Sequence, residues 1–165
     1  MAYKRRPFLT DDLSRRCLRT AIDRIRAKWA FEIIAFVLLP DHLHVVWTLP
    51  AGDARYSTRW RRIKEAFTRD YLASGGEEII PSRSRLHQGE RGIWQRRFWE
   101  HTCRDEDDLK RWVDYAHWNP RKHGLVKRIA DWPWSSFHRF VQAGEYDAEW
   151  GGGEPPHDVP GAEWE

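Results

Sequence analysis

The stretch FEIIAFVLLPDHLHVVWTL, residues 31–49, decides the fold. Phe31 to Leu39 is a run of β-branched, aromatic and aliphatic residues, which predicts a strand. Pro40 and Asp41 break it, and residues 42–49 predict a second strand. So short a break makes the two strands neighbours and antiparallel. The second strand opens with His42 and His44. On a strand, residues two apart share a face, so the two imidazoles stand side by side while Leu43 turns into packing. Such a pair can grip one divalent ion. It can equally be two polar residues at the start of a half-exposed strand. Zinc would ask for a third nitrogen or sulfur ligand, magnesium or manganese for oxygens.

Outward from this stretch, the flanks read as helices. Over residues 11–29, Leu13, Cys17, Ala21 and Ile25 recur every fourth position, the spacing of an apolar helical stripe. Residues 57–72 repeat the pattern with Trp60, Ile63, Phe67 and Tyr71, and leave Arg59, Arg61, Arg62, Lys64 and Arg69 outside the stripe. Residues 73–92 are rich in Gly, Ser and Pro and predict a loop. IWQRRFWEHTC, 93–103, predicts a strand. Residues 105–118 predict a third helix, opened by four acids in the place the helix dipole favours and stopped by Pro120. A short helix is expected from about Ser135. From Gly144 onward an acidic, mobile tail is expected. The implied class is α+β: helices over one face of an antiparallel sheet, in one domain over 1–143 followed by the tail at 144–165.

Composition narrows the function classes. The 165 residues carry a formal charge of +3, but no Lys or Arg follows Arg139, so residues 1–139 hold +10 and the tail is acidic. A basic body suits a nucleic-acid partner. Eleven tryptophans, several beside arginines, suit either a large aromatic core or base stacking. Cys17 and Cys103 form no CxxC, which argues against a disulfide framework or zinc cluster and fits a reducing compartment. No apolar run is long enough to span a membrane, and the first residues carry no signal core. The expected location is the cytoplasm.

On the third helix, Tyr115 and Asn119 lie one turn apart and share a face, with His117 between them. They are candidates to join the histidine pair. Equally, Tyr115 can be a packing residue and Asn119 a helix end.

Five segments together resemble the IS200-like transposases, small single-strand DNA transposases with a His-hydrophobic-His motif and one nucleophilic tyrosine. They are VLLPDHLHVVWTLP (37–50), STRWRRIKEAF (57–67), RGIWQRRFWEHTCRDEDD (91–108), VDYAHWNPRKHGLV (113–126) and DWPWSSFHRF (131–140). Within that family the resemblance is to the transposases of repetitive extragenic palindromes (REPs). It implies a ferredoxin-like sandwich. Only ten residues precede the first helix here, so the sandwich's first strand is expected to be missing or truncated. It implies cleavage of one DNA strand near a palindromic hairpin, with a 5′-phosphotyrosine and a free 3′-OH as products. By the same resemblance His42 and His44 hold Mg²⁺ or Mn²⁺, Tyr115 is the nucleophile, Asn119 is a third ligand and His117 its rival. The DNA-contacting candidates are Arg59, Arg61, Arg62, Lys64, Arg69, Arg96, Arg97, Trp132, Trp134 and Ser135. The partner is a single strand bearing a hairpin, met at the nucleoid by a monomer or homodimer. A non-catalytic structured-DNA binder or repressor, or a metal-dependent phosphoesterase using water, are the alternatives.

Overall fold

A computed structural model describes residues 1–152. The elements are α1 (Asp12–Lys28), β1 (Glu32–Leu38), β2 (Leu43–Thr48), α2 (Tyr56–Ala73), α3 (Arg83–His87), α4 (Glu106–Lys122) and α5 (Phe137–Gln142), with 3-10 turns at Tyr3–Arg5 and Ile129–Asp131. β1 and β2 pair as a two-stranded antiparallel sheet, so the class is α+β. The chain divides into two compact units.

The first unit comprises Met1–Glu32, Pro40–His42 and Thr48–Trp99. Here α1 packs on α2. Leu18, Ala21 and Ile25 of α1 and Ile63, Phe67 and Tyr71 of α2 are buried, as their helical spacing requires. Phe67 stacks on Tyr71 and meets Trp94 edge-on, with ring centroids 5.3 and 4.9 Å apart. An Arg24–Asp70 ion pair ties the two helices. Ala2 makes an antiparallel bridge to Trp94, and its N–H donates to the Asp41 carbonyl.

The second unit comprises, of the described residues, Ile33–Leu39, Leu43–Trp47 and 100–152. Its centre is Val37, Leu39, Ala116 and Trp132, with Val126 and Trp134 packed against them. Residues 132–136 run beside β1. The Leu38 N–H donates to the Trp134 carbonyl, the Ser136 N–H to that of Phe36, and Trp132 Nε1 to that of Leu38.

Three expectations are corrected. Residues 93–103 form no strand. Among the described residues the pairing is one bridge, Ala2 to Trp94, flanked by the Tyr3 N–H to Ile93 and the Gln95 N–H to Met1, and one bridge is not a ladder; Arg96 to Glu100 are exposed. The loop at 73–92 holds α3, whose Arg85 is buried against the Trp94 carbonyl, Glu90 and the Tyr3 ring. The third helix does not stop before Pro120 but runs through it to Lys122. The proline forfeits one helical bond, to the Ala116 carbonyl. Burial of the ring offsets part of that loss. So does the Asn119 side-chain amide, which donates to the neighbouring Tyr115 carbonyl at 2.9 Å. The helix ends instead at Gly124, with φ +66°. There the Leu125 N–H reaches the Pro120 carbonyl and the Gly124 N–H that of Arg121, the paired bonds of a glycine-terminated helix.

The expected mobile tail is also revised where it is described. Tyr146 stacks on Phe137, Phe140 and Trp150. Residues 153–165 lie outside the described residues. Among those described, no helix is long and apolar enough to cross a membrane.

Candidate active site

Tyr115 sits on the buried face of α4 and is 4% exposed. Its ring meets His44 edge-on, with centroids 5.6 Å apart and planes at 87°, and Trp112 likewise at 5.8 Å. Trp112 in turn carries His101. Lys122, two turns further along α4, donates from Nζ to the Tyr115 hydroxyl at 2.7 Å and lies 4.9 Å from the ring centroid. Asn119, one turn on, is fully buried. Its amide nitrogen is spent on the Tyr115 carbonyl, and its Oδ1 is buried with no hydrogen-bond partner among the described residues. A buried amide oxygen left so costs desolvation energy, and a cation would satisfy it.

His42, buried just before β2, places Nδ1 2.6 Å from Asp41 Oδ1. Asp41 also accepts from Arg5 Nε at 2.7 Å. Burial alone would raise the Asp41 carboxyl. The hydrogen bond to His42 and the charges of His42 and Arg5 outweigh it and hold the group below the usual carboxylate range. With Asp41 ionised, Nδ1 is the donor of this bond, and the neutral form of the imidazole then carries its lone pair on Nε2. A carboxylate behind an imidazole is the arrangement that orients metal-binding histidines. His44 is the second residue of β2. Among the described residues no group of three His, Cys, Asp or Glu could hold a metal. Imidazole nitrogens and an amide oxygen are donor types that a divalent ion takes when substrate oxygens or water complete its shell.

His117, the rival ligand, lies elsewhere. It is fully buried, with Nε2 2.8 Å from Ser136 Oγ and Nδ1 3.4 Å from the Tyr146 hydroxyl. The same hydroxyl donates to Asp114, and Ser136 Oγ accepts from the Phe36 N–H. Burial, with the charge of Arg139 nearby, pushes His117 down to about 4. It is a neutral link in a buried network joining α4, β1, α5 and residue 146, and both its nitrogens are engaged.

The basic candidates divide in two. Arg59 is 2% exposed and bonds Asp53 at 2.8 Å and the Ala30 carbonyl at 3.0 Å, so its guanidinium is spent inside the fold. Lys64 is half-buried and donates to the Gln95 carbonyl at 2.6 Å; burial and the charge of Arg85 push it down to about 8. Both are withdrawn from the DNA-contacting set. Arg61, Arg62, Arg69, Arg96 and Arg97 are exposed. Trp132 is buried in the core, Trp134 is partly buried against it, and Ser135 Oγ accepts from the Phe137 N–H. These three hold residues 132–136 in place beside β1. Sequence reasoning missed Asp41 behind His42, and Lys122. The second had a signal, a lysine seven residues after the tyrosine, which the expected helix stop concealed.

The family model described as "Transposase IS200 like" matches residues 1–119. A REP-associated tyrosine transposase of Escherichia coli K12 is 44% identical over 135 residues, 82% of this chain and 72% of that protein. A Haemophilus influenzae relative is 41% identical over 145 residues, covering 88% of this chain and 80% of its own length. The chain belongs to the IS200-like transposase family. Within it, this chain is similar to the REP-associated tyrosine transposases. A solved structure of one bound to a REP hairpin superposes with a TM-score of 0.74 at 40% identity, over 95% of this chain and 82% of that one.

Proposed function

We propose that this protein cleaves and rejoins single-stranded DNA beside REP-like hairpins, through a covalent bond between Tyr115 and the 5′ phosphate. The observation that carries the reading is the Tyr115 phenol, buried on α4 and held edge-on to the His44 ring. On this reading the α+β class is a ferredoxin-like sandwich. The bridge of Ala2 to Trp94, with the Ala2 N–H bonded to the Asp41 carbonyl, is compatible with a remnant of a first strand.

Tyr115 Oη attacks phosphorus, the bond to the 3′ oxygen breaks, and the phosphate stays on the downstream strand. The bond energy is kept in the tyrosine ester, so a 3′-OH can later attack it and rejoin the strand. Asn119 fixes the helical turn that presents Tyr115. Asp41 fixes the ring of His42. His42, His44 and the Asn119 oxygen would hold Mg²⁺ or Mn²⁺, and such an ion supplies charge neutralisation at the scissile phosphate. The exposed Arg61, Arg62 and Arg69 of α2, with Arg96 and Arg97, contact hairpin phosphates. The solved relative bound to a REP hairpin supports this choice of DNA. The site of action is the nucleoid.

The test is Tyr115→Phe, which removes only the hydroxyl. With Mn²⁺ and a strand labelled 3′ of the cut, wild type should carry label into the protein band of a denaturing gel, and the variant should not. Cleavage by the variant at the wild-type rate would rule the reading out.

A further inference from the structure

We propose that Lys122 is a second catalytic residue, whose ammonium counters the negative charge on Tyr115 Oη as the tyrosine–phosphate bond forms and as it breaks. The proposal rests on Tyr115 being the nucleophile.

Three observations carry it. The first is register. Seven residues are two helical turns less about 20°, so Lys122 lies on the same stripe as Tyr115. Helical side chains lean toward the N-terminus, which aims the lysine stem back along α4 at the phenol. The second is the path of the helix. α4 continues through Pro120 and ends after Lys122. A helix stopped before the proline would leave Lys122 in a loop with no fixed direction. The Asn119 amide bond to the Tyr115 carbonyl spans the disturbed turn, and the Gly124 closure fixes the end. The third is contact. Lys122 Nζ donates to Tyr115 Oη at 2.7 Å, the atom that would bond to phosphorus, and sits 4.9 Å from the ring centroid. Other candidate roles for a lysine on this helix fit less well. Lys110 is exposed and pairs with Asp114 one turn on. Lys122 touches the phenol.

The chemistry follows from the direction of that hydrogen bond. In cleavage the Oη–P bond forms and the P–O3′ bond breaks; the phenol proton passes to water and the 3′ oxygen takes one from water. In rejoining, a 3′-OH attacks phosphorus and the Oη–P bond breaks, so the phenolate oxygen is the leaving group. Charge resides on Oη in both directions, early in the first and late in the second. A cation already seated at 2.7 Å needs no reorganisation to meet it, and at a buried phenol its effect exceeds that of the same charge in water. Lys122 therefore serves both halves of a cut-and-rejoin cycle, whereas a one-way proton acceptor would serve only the first.

The experiment compares wild type, Lys122→Met, Lys122→Arg and Tyr115→Phe, all as full chains. Each is given Mn²⁺ and a labelled single strand carrying a REP-like hairpin. Adduct formation, release of the adduct by an added 3′-OH strand, and hairpin affinity are measured. Lys122→Met should slow both adduct formation and its release by ~100-fold or more, the loss typical of one charge-stabilising donor, with hairpin affinity within twofold. Lys122→Arg keeps the charge and should recover to within about tenfold of wild type. Methionine activity within threefold of wild type, arginine as slow as methionine, or a parallel loss of hairpin binding would each overturn the role of Lys122. Wild-type cleavage without an adduct, or unimpaired cleavage by Tyr115→Phe, would instead overturn the nucleophile reading, and the role of Lys122 with it.

Discussion

Helices α2 and α4 are close in length, and both are amphipathic, yet they bury different things. α2 buries Ile63, Ala66, Phe67 and Tyr71, takes the charge of Arg59 inside and half-buries Lys64, and leaves Arg61, Arg62 and Arg69 exposed. α4 buries Asp108, Asp114, Tyr115, His117 and Asn119 among its apolar residues. Each of these polar groups costs desolvation unless it is bonded. Asp108 is answered by His101 and by the Arg104 N–H and guanidinium, and the His101 bond comes first in holding its carboxyl well below the usual range. Asp114 is answered by Lys110 and Tyr146. Burial first, and then the Asp114 bond, push the Tyr146 phenol well above its usual value. His117 is answered by Ser136. Of these polar groups, the Asn119 oxygen is the one without a hydrogen-bond partner among the described residues. On the proposed function the difference divides the work: α2 would meet an anionic surface, and α4 would carry the chemistry in its interior.

Separating chemistry from DNA binding gives the largest expected effect. Asn119→Leu fills nearly the same space, and by removing a proposed ligand it should cut Mn²⁺-dependent cleavage by ~100-fold or more, with hairpin affinity unchanged. Cleavage within threefold of wild type would dissolve the distinction from the α4 side. Next in size is Asp41→Asn, which keeps shape but removes the charge that fixes His42. Calorimetry should show Mn²⁺ binding weakened by roughly 10–100-fold; equal affinity would separate Asp41 from any metal role.

From the α2 side, Arg61→Ala with Arg62→Ala should lower hairpin affinity by about tenfold at low salt and reduce the log–log salt slope by nearly 2 if both meet duplex phosphates. At saturating DNA, cleavage should persist. An unchanged salt slope would remove these arginines from the interface. Arg59→Ala should do the reverse, losing thermal stability because Asp53 is left partly buried without its closest cation, with the salt slope kept.

A further effect is a matter of pH. Lys64 titrates at about 8 in the fold, lowered from 10.5. Between those values the unfolded chain holds the proton that the folded chain has released, so folding stability rises with pH through that window. At neutral pH the buried charge is a burden of up to about 3 kcal/mol. Measured by urea denaturation, wild type should gain on Lys64→Met as pH goes from 8 to 10.5. A pH-independent difference between them would show that Lys64 is not perturbed.

Much of this was legible in the sequence, for identifiable reasons. α1, α2, β1 and β2 follow from periodicity because each has one continuous apolar face. Spacing put His42 and His44 on one strand face and Tyr115 one turn from Asn119, but only the family resemblance gave them roles. What escaped were facts of tertiary partnership. Arg59 reads as surface charge until Asp53 and the Ala30 carbonyl are seen to enclose it. Residues 93–103 have strand composition, but among the described residues only their start, Ile93 to Gln95, bonds to the backbone of residues 1–3. Pro120 reads as a stop, since its cost is local while its compensation comes from Asn119 and from burial. That one misreading hid Lys122. Tyr146 and Trp150 sit in an acidic stretch with the composition of a tail, but pack on Phe137 and Phe140.

The central claim is that a buried tyrosine of α4 becomes bonded to DNA. Its most direct test is mass spectrometry of the protease- and nuclease-digested adduct formed by wild type with Mn²⁺ and a hairpin-bearing strand. The expected result is one modified peptide, containing Tyr115, heavier by a nucleotide joined through its 5′ phosphate. A nucleotide found on Tyr3, Tyr56, Tyr71 or Tyr146 instead, or strand cleavage with no modified peptide, would contradict it.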